Sequence, residues 1–117
     1  MLLGLGRAGN IGINIAGSSM NSNTRLVLLD QQSRKEAINT FGSLEQVPPS
    51  AVTMGISTIM RAREIALIAW GEDKAKSIKD VVEGPVSESV PASCLQAHPN
   101  TTVLHEDLKC LHKLHDL

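Results

Sequence analysis

Gly4-Leu5-Gly6-Arg7-Ala8-Gly9 fits the spacing G-x-G-x-x-G and continues the short apolar run Met1–Leu5. Glycines so placed let a backbone close on a phosphate. A pyrophosphate would sit over Gly6 and Gly9 at a helix N-terminus, where free N–H groups and the dipole favour an anion. The apolar run Arg25–Leu29 ends in Asp30. An acidic residue about twenty positions beyond the glycines is what a dinucleotide-binding unit uses to hold a ribose. An NAD-type dinucleotide-binding module is therefore one reading of Gly4, Gly6, Gly9 and Asp30. Two features oppose it. The helix it needs would run through Gly12, Gly17, Ser18, Ser19 and Asn21, a poor helix. The strand before the glycines is also barely long enough. The plain alternative is a tight turn after an edge strand.

Lys74 is the second position with chemistry in it. It follows the apolar run Ile65–Trp70 and Gly71, and the carboxyl ends of parallel strands are where α/β folds bind ligands. The alternative is a solvated lysine in the first turn of a helix. His105, Cys110, His112 and His115 carry metal-capable groups, but their spacing matches no usual zinc pattern and no metal site is assigned. Cys94 and Cys110 form no CxxC pair, and a reduced cytosolic pair is preferred to a disulfide.

Positioning these groups requires regular elements. Val52–Met54 closes at Gly55 and Ile65–Trp70 at Gly71, and both read as buried parallel strands. Ile56–Arg63 sets Ile59 and Met60 against Arg61 and Arg63. Asp73–Glu83 repeats Ala75, Ile78, Val81 and Val82 at helical spacing. Gln31–Phe41 reads as a helix with Ala37, Ile38 and Phe41 on one side and Arg34, Lys35 and Glu36 on the other. Pro48-Pro49 stops any helix before the next strand. Glu83-Gly84-Pro85 ends a helix, Val90–Ala97 is a short helix led by Pro91, and Thr101–Leu104 is a last strand. The fold class is α/β: a mostly parallel, Rossmann-like sheet of four or five short strands, with helices on both faces as a partial α/β/α sandwich.

The 117 residues fit one small domain, and 42% hydrophobic content suffices for a core built without Tyr and with one Phe and one Trp. A net charge of −1 gives no reason to expect nucleic acid or a membrane surface as partner. No apolar run approaches the roughly 20 residues of a membrane span, and no signal peptide is visible. The expected compartment is the cytoplasm.

Several separate motifs, in order and in register, resemble the C-terminal half of glucosamine-6-phosphate deaminases. VPPSAVTMGIST, a hydrophobic strand ending in Gly71 and Lys74-Ala75, EGPV and LQAHP match that family's V-P-x-x-A-x-T-x-G-x-x-T, G-x-x-K-A, EGPV-like and L-Q-x-H-P elements. The run Gly4 to Ser19 is similar to its G-x-G-x-D-G-H-I-x-F-N-E-P-x-S-S segment, and Asn23-Thr24-Arg25 to its S-x-T-R. The resemblance covers about residues 2–103, leaving 104–117 as a divergent tail in a single partial domain. It implies conversion of glucosamine 6-phosphate to fructose 6-phosphate and ammonia, with no cofactor and a sugar phosphate as ligand.

By this resemblance Gly6, Gly9, Asn10 and Asn14 belong to an active-site loop, and Lys74 contacts the sugar phosphate. Ser18, Ser19 and Arg25 match positions that bind an allosteric amino-sugar phosphate in hexameric members, where a second basic position is Val27 here. The family's catalytic Asp, His and Glu are replaced by Ala8, Asn10 and Ile15. Ring opening needs a group titrating near neutrality; alanine and isoleucine carry no proton, and asparagine does not titrate. A phosphate-holding arginine is replaced by Asn39, which has neither charge nor fork. His98 of the LQAHP element is assigned to packing.

The family's first half, with a glycine-rich phosphate loop and the aspartate that moves a proton between C1 and C2, has no counterpart in these residues. The expected consequences are a chain inactive alone and a strand edge at Met1–Leu5 open to an oligomer or a complementing half. A non-catalytic remnant or sugar-phosphate-binding protein is the further alternative. Leu104, Leu108, Leu111 and Leu114 suggest an amphipathic helix in the tail.

Overall fold

Ile65–Ala69 is the strand around which the protein is built, with Ile65, Leu67 and Ala69 fully inside. A computed structural model describes residues 1–105 and the backbone of 112–113. In chain order the elements are β1 (Leu2–Gly4), β2 (Arg25–Leu28), α1 (Gln31–Glu36), α2 (Ile38–Phe41), β3 (Ser50–Thr53), α3 (Ile56–Met60), β4 (Ile65–Ala69), α4 (Ala75–Glu83), β5 (Thr101–His105) and β6 (His112–Lys113). Short 3₁₀ segments at Leu44–Gln46, Glu72–Lys74 and Pro91–Ala97 connect them.

The main sheet has the order β1-β4-β5-β6. β1 and β5 flank β4 in parallel, with Leu3 opposite Leu67 and Leu67 opposite Val103. β6 is antiparallel to β5. This is the mostly parallel α/β sheet that the apolar runs imply. Strand alternation sends Leu5, Ile65, Leu67, Ala69 and Val103 to one face. There they pack with Ile56 and Ile59 of α3, Val81 of α4, and Ala92, Cys94 and Leu95 of the segment 91–97. The helical layer lies on that face.

α4 follows its sequence pattern closely. Ser77 and Val81 are buried, and Ile78 and Val82 are packed against the core. The helix stops at Gly84, and the Gln96 side chain donates to the last carbonyls, Val81 O at 2.6 Å and Gly84 O at 2.8 Å.

Two expectations are corrected. Arg25–Leu29 and Val52–Met54 are not strands of the parallel sheet: β2 and β3 form a separate antiparallel ribbon with Leu26 opposite Val52. Its outward residues Leu26, Leu28 and Val52 are exposed, so these runs are half-buried strands of period two rather than doubly covered ones. The helix Gln31–Phe41 is interrupted at Ala37, where α1 ends and α2 begins. The tail helix falls mostly on residues outside those described. Leu104 lies in β5, and the described backbone at 112–113 is strand.

Candidate functional site

β1 continues into the glycine loop through Leu5, whose N–H donates to Ile68 O at 3.1 Å. The chain then folds back on itself: Gly6 N–H donates to Asn10 O at 2.8 Å, and Leu5 and Ile11 form a bridge. Leu5 and Ile11 are buried and anchor this turn in the core. Gly9 adopts φ +79°, and a Cβ there would lie 2.6 Å from Val90 Cγ1, so the position requires glycine on both counts. Ala92 N–H donates to Gly9 O at 2.9 Å and pins the turn to the segment 91–97.

Two further straps hold the loop. On one side, buried Asn14 donates from Nδ2 to Ile11 O (2.9 Å) and Met54 O (2.8 Å), and Thr53 Oγ1 accepts from Ile13 N at 2.9 Å. On the other, Lys74 Nζ donates to Leu5 O at 2.6 Å, Ser77 Oγ to Arg7 O, and Arg7 pairs with Asp73 at 2.9 Å. Lys74 is thus half-buried and tied to the carboxyl end of β1; it is not a solvated lysine of a first helical turn.

The loop faces α1 across two adjoining recesses. One, about 340 Å³, is lined by Asn10, Ile15, Ala37, Phe41 and Ser50, among others. The other, about 290 Å³, is lined by Arg7, Ala8, Asp30, Gln32 and Ser33, among others. Gly6, Asn10, Ser33 and Glu36 border both. Asn10 Oδ1 is buried and has no hydrogen-bond partner among the described residues. It is an acceptor at the junction of the recesses that a ligand O–H or N–H would satisfy.

Of the residues singled out in the sequence, Gly6, Ala8, Asn10 and Ile15 meet around this cleft, with Gly9 and Asn14 behind it. Lys74 borders the loop but lines neither recess, and Asn39 is exposed on α2 outside both. Ser18, Ser19 and Arg25 are not brought to the cleft. Ser19 Oγ accepts from Asn21 N at 3.1 Å, and Arg25 is bound to Asn14 Oδ1 at 2.9 Å. Ser33 and Glu36 were not legible as cleft residues. Glu36 reads as solvent-facing beside Lys35, and only its three-residue spacing from Ser33 places the two on one helix face.

The dinucleotide geometry is not present in the described chain. No helix starts after the glycines, and residues 6–24 are turns and isolated bridges. Asp30 instead caps α1, its Oδ1 accepting from Ser33 N at 2.8 Å, and hydrogen bonding from Ser33, side chain first and backbone second, lowers its pKa. His98 is buried, with Nδ1 accepting from Asn100 N (3.1 Å) and Nε2 facing Ala62 O (2.6 Å), which is the packing role expected of it. Cys94 is a buried free thiol, its pKa pushed up to about 11 by desolvation. Of the metal-capable tail residues, Cys110, His115 and the side chain of His112 lie outside those described.

A mostly parallel α/β sheet with a cleft beyond the carboxyl end of β1 defines an α/β protein of the kind that places its recesses at strand ends. Residues 2–104 match the family described as glucosamine-6-phosphate isomerases/6-phosphogluconolactonase, and the chain belongs to it. It is 56% identical over 102 residues to a glucosamine-6-phosphate deaminase-like protein of Bacteroides thetaiotaomicron, covering 87% of this chain and 15% of that one. It is 48% identical to the glucosamine-6-phosphate deaminase of Oenococcus oeni, covering 88% of this chain and 44% of that one. The solved structure of a monomeric glucosamine-6-phosphate deaminase superimposes with a TM-score of 0.86 at 43% identity, over 90% of this chain and 44% of that one. A 6-phosphogluconolactonase from Trypanosoma brucei shares the fold, with a TM-score of 0.65 at 20% identity. The chain spans less than half the length of these relatives.

Proposed function

We propose that this chain is a cytoplasmic, sugar-phosphate-binding member of the deaminase family that does not by itself deaminate glucosamine 6-phosphate. One observation carries the reading: Ala8, Asn10 and Ile15, which replace the acid–base residues implied by the resemblance, line a cleft that is still formed. The loop keeps its shape because its straps are backbone carbonyls, Asn14 and Lys74, none of which depends on the replaced groups. The chemistry is different. A cleft offering Asn10 Oδ1 and the Ser33 hydroxyl can hold sugar hydroxyls, but it has no group that exchanges a proton near neutral pH at the three replaced positions. Lys74, beside the loop at the end of β1, supplies the cation a phosphate ester would draw away from Leu5 O.

The test is a titration of the isotope-labelled chain with glucosamine 6-phosphate and with glucosamine, followed by amide NMR, beside an ammonia assay. Saturable shifts at Gly6, Asn10, Ser33 and Lys74 with the phosphate ester only, and ammonia at background, are expected. Shifts with neither sugar would remove the binding reading, and ammonia release would remove the non-catalytic one.

A further inference from the structure

The two recesses of the cleft differ in chemistry. The larger is walled by Ile13, Ile15, Leu29, Phe41, Pro48 and Ala51. None of these side chains belongs to the packed core cluster, and Phe41 is 44% exposed. The backbone holds this wall in place. Ile13 N donates to Thr53 Oγ1 at 2.9 Å and Leu29 N to Pro49 O at 2.9 Å, and α2 carries Phe41 beyond the break at Ala37. The smaller recess is bordered instead by Arg7, Asp30, Gln32 and Ser33. Asn10 borders both, and its buried Oδ1 is the acceptor that no described residue satisfies. The cleft therefore runs from polar groups, past one open acceptor, to an apolar end.

From this order of groups we propose that the cleft selects an N-acylated amino-sugar phosphate over one with a free amine. The inference rests on the sugar-phosphate reading above and narrows it. An N-acyl substituent carries an amide N–H next to an apolar chain. The N–H satisfies Asn10 Oδ1, the acyl chain enters the recess walled by Ile15 and Phe41, and the sugar hydroxyls face Ser33 and Gln32. A free amine is protonated near neutral pH. Its ammonium would also satisfy Asn10 Oδ1, but it would set a charge against the apolar wall at a desolvation cost. Glu36 borders the junction too, yet it is exposed and accepts from Gln32 Nε2 at 3.0 Å. It offers an ammonium only a charge screened by water. Ile15 decides the character of the wall, because the glutamate that the family resemblance implies there would put a carboxylate in the same recess.

The test is calorimetric titration of the chain with glucosamine 6-phosphate and with its N-acetyl and N-butanoyl derivatives. The N-acetyl ester should bind about tenfold more tightly than the free amine. The N-butanoyl ester should bind more tightly still, by up to about fourfold for each added methylene that the recess buries. Ile15→Glu should remove the acyl advantage. Asn10→Asp, which keeps the shape and adds a charge, should shift the preference toward the free amine. Phe41→Ser, at an exposed position that tolerates the change, should narrow the gap between the N-butanoyl and N-acetyl esters, and it reads the same wall if Ile15→Glu does not fold. Glucosamine 6-phosphate binding as tightly as the acylated esters, or more tightly, would overturn the proposal and leave the sugar-phosphate reading standing. An acyl advantage that survives both Ile15→Glu and Phe41→Ser would overturn it as well. Binding by none of the esters would remove the sugar-phosphate reading, and this proposal with it.

Discussion

Arg25 Nη1 donates to Asn14 Oδ1 at 2.9 Å and so completes the hydrogen bonding of a fully buried amide. Asn14 spends its Nδ2 on Ile11 O and Met54 O, and Arg25 also reaches Asn23 O at 3.3 Å. The first residue of β2 is thereby fastened to the loop that shapes the cleft. Asn14→Ala strands both carbonyls and the guanidinium, and should cost about 2–4 kcal/mol in urea denaturation. Arg25→Met leaves one buried acceptor open and should cost about 1–2 kcal/mol. If Arg25→Met leaves stability unchanged, Arg25 is available as a ligand group and not committed to the loop.

Two glycines separate packing from backbone freedom. A Cβ on Gly55 would lie 2.2 Å from Ser22 O and 2.3 Å from Asn23 C, backbone atoms that cannot swing aside. Gly4 has nothing within 4 Å of its Cβ position and no positive φ. Gly55→Ala should therefore destabilise by about 2 kcal/mol or more. Gly4→Ala should be neutral or stabilising by up to about 1 kcal/mol. Thermal denaturation of the two variants side by side checks the order.

Much of this was legible from apolar patterning. Ile65–Ala69 and the spacing of Ile78, Val81 and Val82 define their elements because apolar inward positions recur at strand and helix spacing and Gly71 and Gly84 close the two runs. The ribbon was not legible, because a four-residue apolar run looks the same whether one face is covered or two. Only the tertiary placement of Leu26, Leu28 and Val52 decides it. In the site, the loop glycines stand out by type. The straps do not: Ser77 and Asp73 are ordinary helix-start residues until the fold sets them against Arg7. Asp30 misled for a related reason, since one carboxylate at that spacing serves a ribose or a helix cap equally well.

Asp30 gives a test of that last point. Its carboxyl pKa is lowered by the hydrogen bond from Ser33, so its contribution is present above about pH 4 and is lost as the pH falls through the lowered value. Asp30→Ala should cost about 1 kcal/mol at neutral pH, and Asp30→Asn, which still caps, much less. NAD at millimolar concentration should produce no saturable heat in calorimetry with any of the three proteins. Tight binding abolished by Asp30→Ala would restore the dinucleotide reading.

Cys94 sets an alkaline limit. Its folded pKa, pushed up to about 11 from 9.0, means that the unfolded thiol ionises first. Above pH 9 the unfolded state therefore holds fewer protons, and stability falls progressively toward pH 11. In a Cys110→Ser background, Cys94→Ala should flatten this slope while costing some packing at neutral pH. The intact thiol should react with a disulfide reagent only on unfolding. A slope that survives Cys94→Ala would assign the alkaline loss to another group.

The last prediction separates lost catalytic groups from lost geometry. Ala8, Asn10 and Ile15 stand around formed recesses, so Asn10→His alone has room to fold. It should release no ammonia from glucosamine 6-phosphate, because no carboxylate at positions 8 or 15 orients the imidazole. The triple variant Ala8→Asp, Asn10→His, Ile15→Glu should also stay at background in the 117-residue chain. By the family resemblance, the aspartate that moves the C2 proton is not among these residues, and each missing acid–base group costs roughly 10²–10⁴ in rate without simple multiplication. Ammonia release above background from the unmodified chain would show that Asn10 and its neighbours do not carry the defect.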